Sequence, residues 1–122
     1  MIMHVAATAL TLALAGAGVS HAEGYSISDL GNVTSESECL NKADRVMQRY
    51  KNALGSGSTS LGSWTAYAWD MEPGDQDTVI VCAPSTEGGT SRVRAILVVH
   101  GETSESDRIA TREVLKGYWS AD

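Results

Sequence analysis

Four carboxylates, Asp70, Glu72, Asp75 and Asp77, fall within eight residues and bracket a Pro73-Gly74 pair. Oxygen ligands at that density suit a hard cation such as calcium, although their spacing is not that of an EF-hand loop. The same groups serve as the charged tip of a hairpin, where Pro and Gly set the turn and the charges oppose edge-to-edge association. A carboxylate pair could also act as acid and base on a glycosidic bond, but nothing in the sequence separates one role from the other. We expect a solvated turn here and no metal, with these four as the candidate ligands should a cation bind.

Histidines occur at positions 4, 21 and 100, so only His100 lies beyond the first twenty-two residues. A site built from several histidines is therefore excluded within one copy of the chain once that leader is removed. A Ser-His-Asp triad would have to use His100, and no Gly-x-Ser-x-Gly elbow accompanies it. The Gly and Ser residues between 55 and 60 lack the Gly-Lys-Ser/Thr ending that cradles phosphate. No catalytic residue and no cofactor is assigned. Asn32-Val33-Thr34 fits a glycosylation acceptor, which matters only in a host that glycosylates exported chains.

Cys39 and Cys82 are the only cysteines. In an exported chain an even pair is a structural disulfide, and two cysteines force the connectivity. A redox role would favour a Cys-x-x-Cys spacing, which these residues do not have. Export is read from residues 1–22, an apolar stretch ending in Ser20-His21-Ala22, with the form of a signal peptide and its cleavage site. The stretch has no Lys or Arg, and its apolar run from Val5 to Val19 is shorter than the roughly 20 residues of a spanning helix. We expect residues 23–122 to form one exported domain, periplasmic or secreted, with no membrane span after cleavage. All 9 Lys and Arg and all 15 Asp and Glu fall in it, and the net charge of −6 argues against nucleic acid and anionic membranes.

The elements that would position these groups follow from periodicity. Tyr25 and Ile27 alternate with Ser26 and Ser28 in a short strand, and Gly31-Asn32 turns the chain toward a helix. Ser35 with Glu38 opens that helix, Gly55 stops it, and Cys39, Ala43, Val46, Met47, Tyr50 and Leu54 share one face. Residues 55–60 read as a flexible loop. Trp64–Met71, Thr78–Ala83 and Arg92–His100 read as three strands of an antiparallel meander, joined by a type II turn at 72–75 and by a turn from Pro84 to Gly89. Ser104 with Asp107 opens a last helix carrying Ile109, Ala110, Val114, Leu115 and Tyr118. The expected fold is α+β in the order β-α-β-β-β-α, an antiparallel sheet packed on two helices with one disulfide. The last five elements resemble double-stranded-RNA-binding domains in order alone, and both charge and export argue against that function.

If Cys82 meets Cys39, then Thr78, Ile80 and Cys82 face the first helix, and Val79, Val81 and Ala83 face away. The last strand divides the same way, with Val93, Ala95, Leu97 and Val99 on one face and Ile96 and Val98 beside Arg92, Arg94 and His100 on the other. Both faces of the sheet are apolar at the centre. Either the second helix or the segment with Tyr25 and Ile27 covers the second face and makes a third layer, or that face meets a partner. The partner-binding candidates are Tyr67, Trp69, Val79, Val81, Arg92, Arg94, Ile96 and Val98, with Trp64 as the alternative to the two aromatics. Arg92 and Arg94 could pair with carboxylates or stack on Trp69. The expected function is non-enzymatic binding of a protein partner or of a second copy. A small apolar ligand or lipid held between sheet and helices, and a hydrolase using His100 or the carboxylates, are the alternatives.

Overall fold

The computed structural model of the protein describes residues 23–122, and the expected leader and cleavage point lie outside the described residues. Strand β1, Gly24–Val33, runs straight through the Gly31-Asn32 pair, where the sequence suggests a turn. A register shift between Asp29 and Gly31 accounts for the difference. The Asp29 carboxylate accepts from the Gly31 N–H at 2.8 Å, and the extra residue changes the parity of the strand so that Leu30 and then Val33 pack on the core.

Helix α1, Glu36–Leu54, starts and stops where its caps require. Ser35 accepts from the Glu38 N–H at 3.2 Å, Thr34 donates to the Glu38 carboxylate, and Gly55 closes the helix in the left-handed region with its N–H on the Lys51 carbonyl. Its buried residues, Cys39, Ala43, Val46, Met47 and Tyr50, are those the three- and four-residue steps pick out, while Leu54 is exposed.

The Gly/Ser segment expected to be a loop instead supplies a short strand, β2, Ser58–Leu61, paired antiparallel with β3, Thr65–Met71. Trp64 precedes β3 in the tight connection, where the Gly62 N–H bonds the Thr65 carbonyl. In the turn at 72–75 the Glu72–Pro73 peptide is cis; Gly74 has the positive φ that the third position of a type II turn requires, and Asp75 after it has positive φ as well. β4, Gln76–Glu87, and β5, Thr90–Gly101, form a long hairpin that carries strand pairing through Pro84, so the turn shrinks to Gly88-Gly89. The sheet order is β1-β5-β4-β3-β2, antiparallel throughout. The α+β class, the two helices, the meander and the disulfide are those expected from the sequence.

Helix α2, Glu105–Ala121, lies beside α1 on the same side of the sheet. Packing is divided between them, with α1 over β2, β3 and β4 and α2 over β1 and β5. One cluster joins Cys39, Val46 and Met47 of α1, Leu115 and Trp119 of α2, and Ala68, Ile80, Cys82, Leu97 and Val99 of the sheet. The fold therefore has two layers, and the described residues leave the second face of the sheet open. The face α2 buries also differs from expectation. Arg108, Thr111, Leu115 and Trp119 are buried, whereas Ile109 and Val114 are exposed and Ala110 lies at the surface. Trp119 is the largest apolar group on the helix, and the turn of the helix that buries it takes Arg108 inward as well. Arg108 sits in the first turn of α2, and its Nη1 donates to the Gly101 and Thr103 carbonyls.

Cys39 and Cys82 are bonded at 2.05 Å with their Cα atoms 6.0 Å apart, which ties the first turn of α1 to the middle of β4. Both residues are fully buried.

Candidate functional site: the open face of the sheet

The alternation of β1 is inverted. In a strand with one buried face, the larger apolar side chains ordinarily point inward. Here Ser26 is the buried residue, accepting from Arg112 on α2 at 3.0 Å, while Tyr25 and Ile27 are 68% and 62% exposed. A one-residue slip would exchange the two sets, but the register of β1 on β5 is continuous from Gly24 to Asp29. Tyr25 and Ile27 therefore extend the open face instead of covering it.

Register places the rows of that face. Ile27, Val98, Val79 and Tyr67 are consecutive partners across β1, β5, β4 and β3, and Ser60 of β2 completes the row. The next row toward the β4–β5 turn is Asp29, Ile96, Val81 and Thr65. Beyond the first row in the other direction lie Tyr25, His100 and Asp77. Val79, Val81, Ile96 and Val98, all β-branched, are half-buried by their own neighbours.

Two aromatic contacts stiffen the edges of the patch. Tyr67 and Trp69 stack at 4.7 Å between ring centroids, and the indole N–H donates to Ser60 at 2.7 Å, so the pair is fixed from the edge strand. Tyr25 lies over His100 at 4.6 Å. Between these pairs is an open depression of about 200 Å³ floored by Val79 and Val98. Rigid aromatics such as Tyr67 and Trp69 are the residue types that carry binding energy at protein interfaces.

The face is charged at both ends, with opposite bias. At the β4–β5 turn end stand Arg92, which is exposed, and Arg94, whose guanidinium pairs with Asp29 at 2.7 Å. That pairing holds the Asp29 carboxyl below the usual carboxylate range, chiefly through the hydrogen bond from Arg94 and then through the Gly31 N–H. At the other end Glu23, Asp70, Asp75, Asp77 and Glu102 surround a depression that includes His100. The two arginines thus lie at the end away from Trp69, and the stacking allowed by the sequence is not formed.

The carboxylate quartet is divided. Asp70, Asp75 and Asp77 line the acidic depression, whereas Glu72 lines a groove on the helical side. Asp77 is occupied locally, accepting from the Asp70 N–H at 3.0 Å where β3 bulges and Asp70 takes a positive φ. Among the described residues no group of three or more His, Cys, Asp or Glu side chains is arranged to hold a metal ion. His100 Nε2 faces the Glu23 carboxylate at 3.8 Å and has no hydrogen-bond partner among the described residues.

A second concavity lies between the end of α1 and the middle of α2, about 350 Å³, lined by Tyr50, Leu54, Pro73, Ala110, Val114 and Tyr118. Burial pushes the Tyr50 phenol above its usual range, opposed by its hydrogen bond with Thr111. The outward turn of Val114 and Ala110 opens this groove.

Of the eight sequence candidates, Tyr67, Trp69, Val79, Val81, Ile96 and Val98 share one patch, Arg94 borders it in an ion pair, and Arg92 stands at its far end. Tyr25 and Ile27 belong to the patch and were not among the eight. Their signal was present as large apolar residues alternating with serines, a pattern that shows two faces without saying which is inward. No helix among the described residues is long and apolar enough to cross a membrane. No protein-family model matches this chain, and no curated protein or solved structure matches it significantly.

Proposed function

We propose that this chain is an exported, non-enzymatic module that binds protein through the open face of its sheet. The observation that carries the reading is the inverted edge strand. Burying Ser26 while leaving Tyr25 and Ile27 in water forfeits on the order of 3 kcal/mol of available hydrophobic stabilisation, a loss that contact with a partner recovers. The buried disulfide suits an oxidising compartment, and the net charge of −6 suits a soluble binding module better than a ligand of nucleic acid. The test is native mass spectrometry of the protein recovered from the compartment to which its host delivers it. A dimer or hetero-complex is expected, and Val81→Lys with Val98→Lys should abolish it while the circular dichroism spectrum is unchanged. A bare monomer at every concentration would sink the proposal.

A second reading rests on the groove between the helices, whose volume reaches the lower end of the roughly 300 to 1,000 Å³ of small-molecule sites. In that case a small apolar ligand remains bound through purification, and the same spectrum shows it as added mass that Val114→Asp removes.

A further inference from the structure

We infer that the occupant of the open face is a second copy of this chain, stacked face to face about a two-fold axis that crosses the strands between the Val98 row and the Ile96 row. This inference rests on the reading of the open face as a protein-binding surface. Two observations favour a second copy in that orientation.

The first is the charge layout. Toward the β4–β5 turn the face carries Arg92, which supplies the excess positive charge, and Arg94, which is paired with Asp29; the opposite end is acidic, with Glu23, Asp77 and Glu102. Among the described residues Arg92 has no ion-pair partner, and neither has Glu102. An axis along the strands would set basic end on basic end. An axis across them reverses the partner's strands, so that each basic end lies over the partner's acidic end. With the axis between residues 96 and 98 of β5, Arg94 comes level with the partner's His100 and Asp77, and Arg92 with the partner's Glu102. Each β5 then crosses its own copy, and the row Ile27, Val98, Val79, Tyr67 covers the row of Asp29, Ile96, Val81 and Thr65, with Ile27 over the carboxylate that Arg94 already pairs. The aliphatic centres of the two rows, Val98 and Val79 on Ile96 and Val81, and the Arg92 and Glu102 ends are matched by the same axis position.

The second is area. Seven residues along β1, β5, β4 and β3, with the four-residue β2 at the edge, give a footprint within about 24 Å by about 19 Å. Over two copies that is about 800 Å² before the relief of the side chains is added, which brings it toward the roughly 1,000 Å² that a specific interface needs. A face of this size suits aligned sheet-on-sheet packing.

The experiment is sedimentation velocity on the oxidised, exported protein from about 1 μM to about 500 μM at low salt, with four variants. The natural protein should dimerise, and Val98→Lys should leave it monomeric. Arg92→Glu and Glu102→Arg each set like charges against each other twice per dimer and should weaken association about tenfold. The double variant restores opposite charges and should return to within about threefold of the natural protein. A dimer abolished by Val98→Lys but indifferent to the charge variants, or one the double variant fails to restore, overturns the reversed arrangement. A natural protein monomeric throughout overturns the second copy altogether. In that case a hetero-complex in the native mass spectrum that Val98→Lys removes leaves the protein-binding reading standing. A dimer that survives Val98→Lys overturns both.

Discussion

Gly57 decides where the aromatic edge of the open face sits. It and Gly55 both have positive φ, where an L side chain costs about 1 kcal/mol, but their surroundings differ. Space is open around Gly55, whereas a β-carbon on Gly57 would collide with the Met71 sulfur and the backbone carbonyl of Trp69. The carbonyl cannot swing aside as a side chain would. Gly57→Ala should therefore destabilise by about 2 kcal/mol more than Gly55→Ala, read from urea unfolding, and should shift Trp69 fluorescence in the folded state. Equal losses would show that β2 yields freely. Gly57 illustrates what single residues disclose in advance. Its composition reads as linker, and only the approach of the Trp69 carbonyl makes it a packing position. Arg108 was hidden for the opposite reason. A guanidinium in the first turn of a helix opposes the helix dipole, and it is held inside by two carbonyls that the sequence does not place near it. The disulfide pair and the apolar residues of β4 and β5 were legible because two cysteines leave one connectivity and side-chain alternation acts locally.

At the scale of elements, α1 announced its buried face and α2 did not. The α1 pattern offers one apolar stripe, whereas α2 spreads its apolar residues around the helix, with Leu115 and Trp119 in one stripe and Ile109 and Val114 flanking it on either side. The structure chooses Trp119, and α1 supplies the contacts that hold it there. Lys42 lies 4.5 Å over the Trp119 ring, Arg49 lies 4.1 Å over Tyr118, and Arg45 grips Asp122 through Nε and Nη2, the latter at 2.7 Å. The hydrogen bonds from Arg45 hold the Asp122 carboxyl below the usual carboxylate range. A carboxyl depressed by folding contributes stability that is fully present above its unfolded pKa and is lost as pH falls through the folded value. The last turn of α2 should thus loosen as pH falls below the ordinary carboxylate range, ahead of the sheet, as seen in amide exchange at Trp119 to Asp122. Asp122→Asn should abolish that pH dependence. If the last turn loosens over the same range in the variant, the clamp lies elsewhere.

At the scale of the molecule, the sequence discloses two apolar sheet faces but not which of them the second helix covers. That choice depends on where β1 inserts. By pairing outside β5, β1 widens the sheet at the edge reached by α2, so both helices fit side by side on one layer. A single layer of two helices gives a small core, whose large buried side chains are few: Met47, Met71, Ile80, Leu97 and Leu115 lead them. A molecule that leaves one sheet face in water must find stability from another source, and the Cys39–Cys82 link is placed to supply it. It joins residues 43 apart, which in the chain-entropy account stabilises by about 4 kcal/mol, comparable with the lower end of the roughly 5 to 15 kcal/mol of a whole domain. It also ties the helical layer to the central β4 strand, opposite Val79 and Val81, so it steadies the floor of the open face. Reduction, or the paired change Cys39→Ala with Cys82→Ala, should lower the unfolding free energy by about 4 kcal/mol, and the steeper urea dependence of a less constrained unfolded chain should accompany it. Under those conditions association through the open face should fail at the protein concentrations where the oxidised form associates. An unchanged urea midpoint after confirmed reduction would mean that the two-layer core holds this sheet without the covalent link.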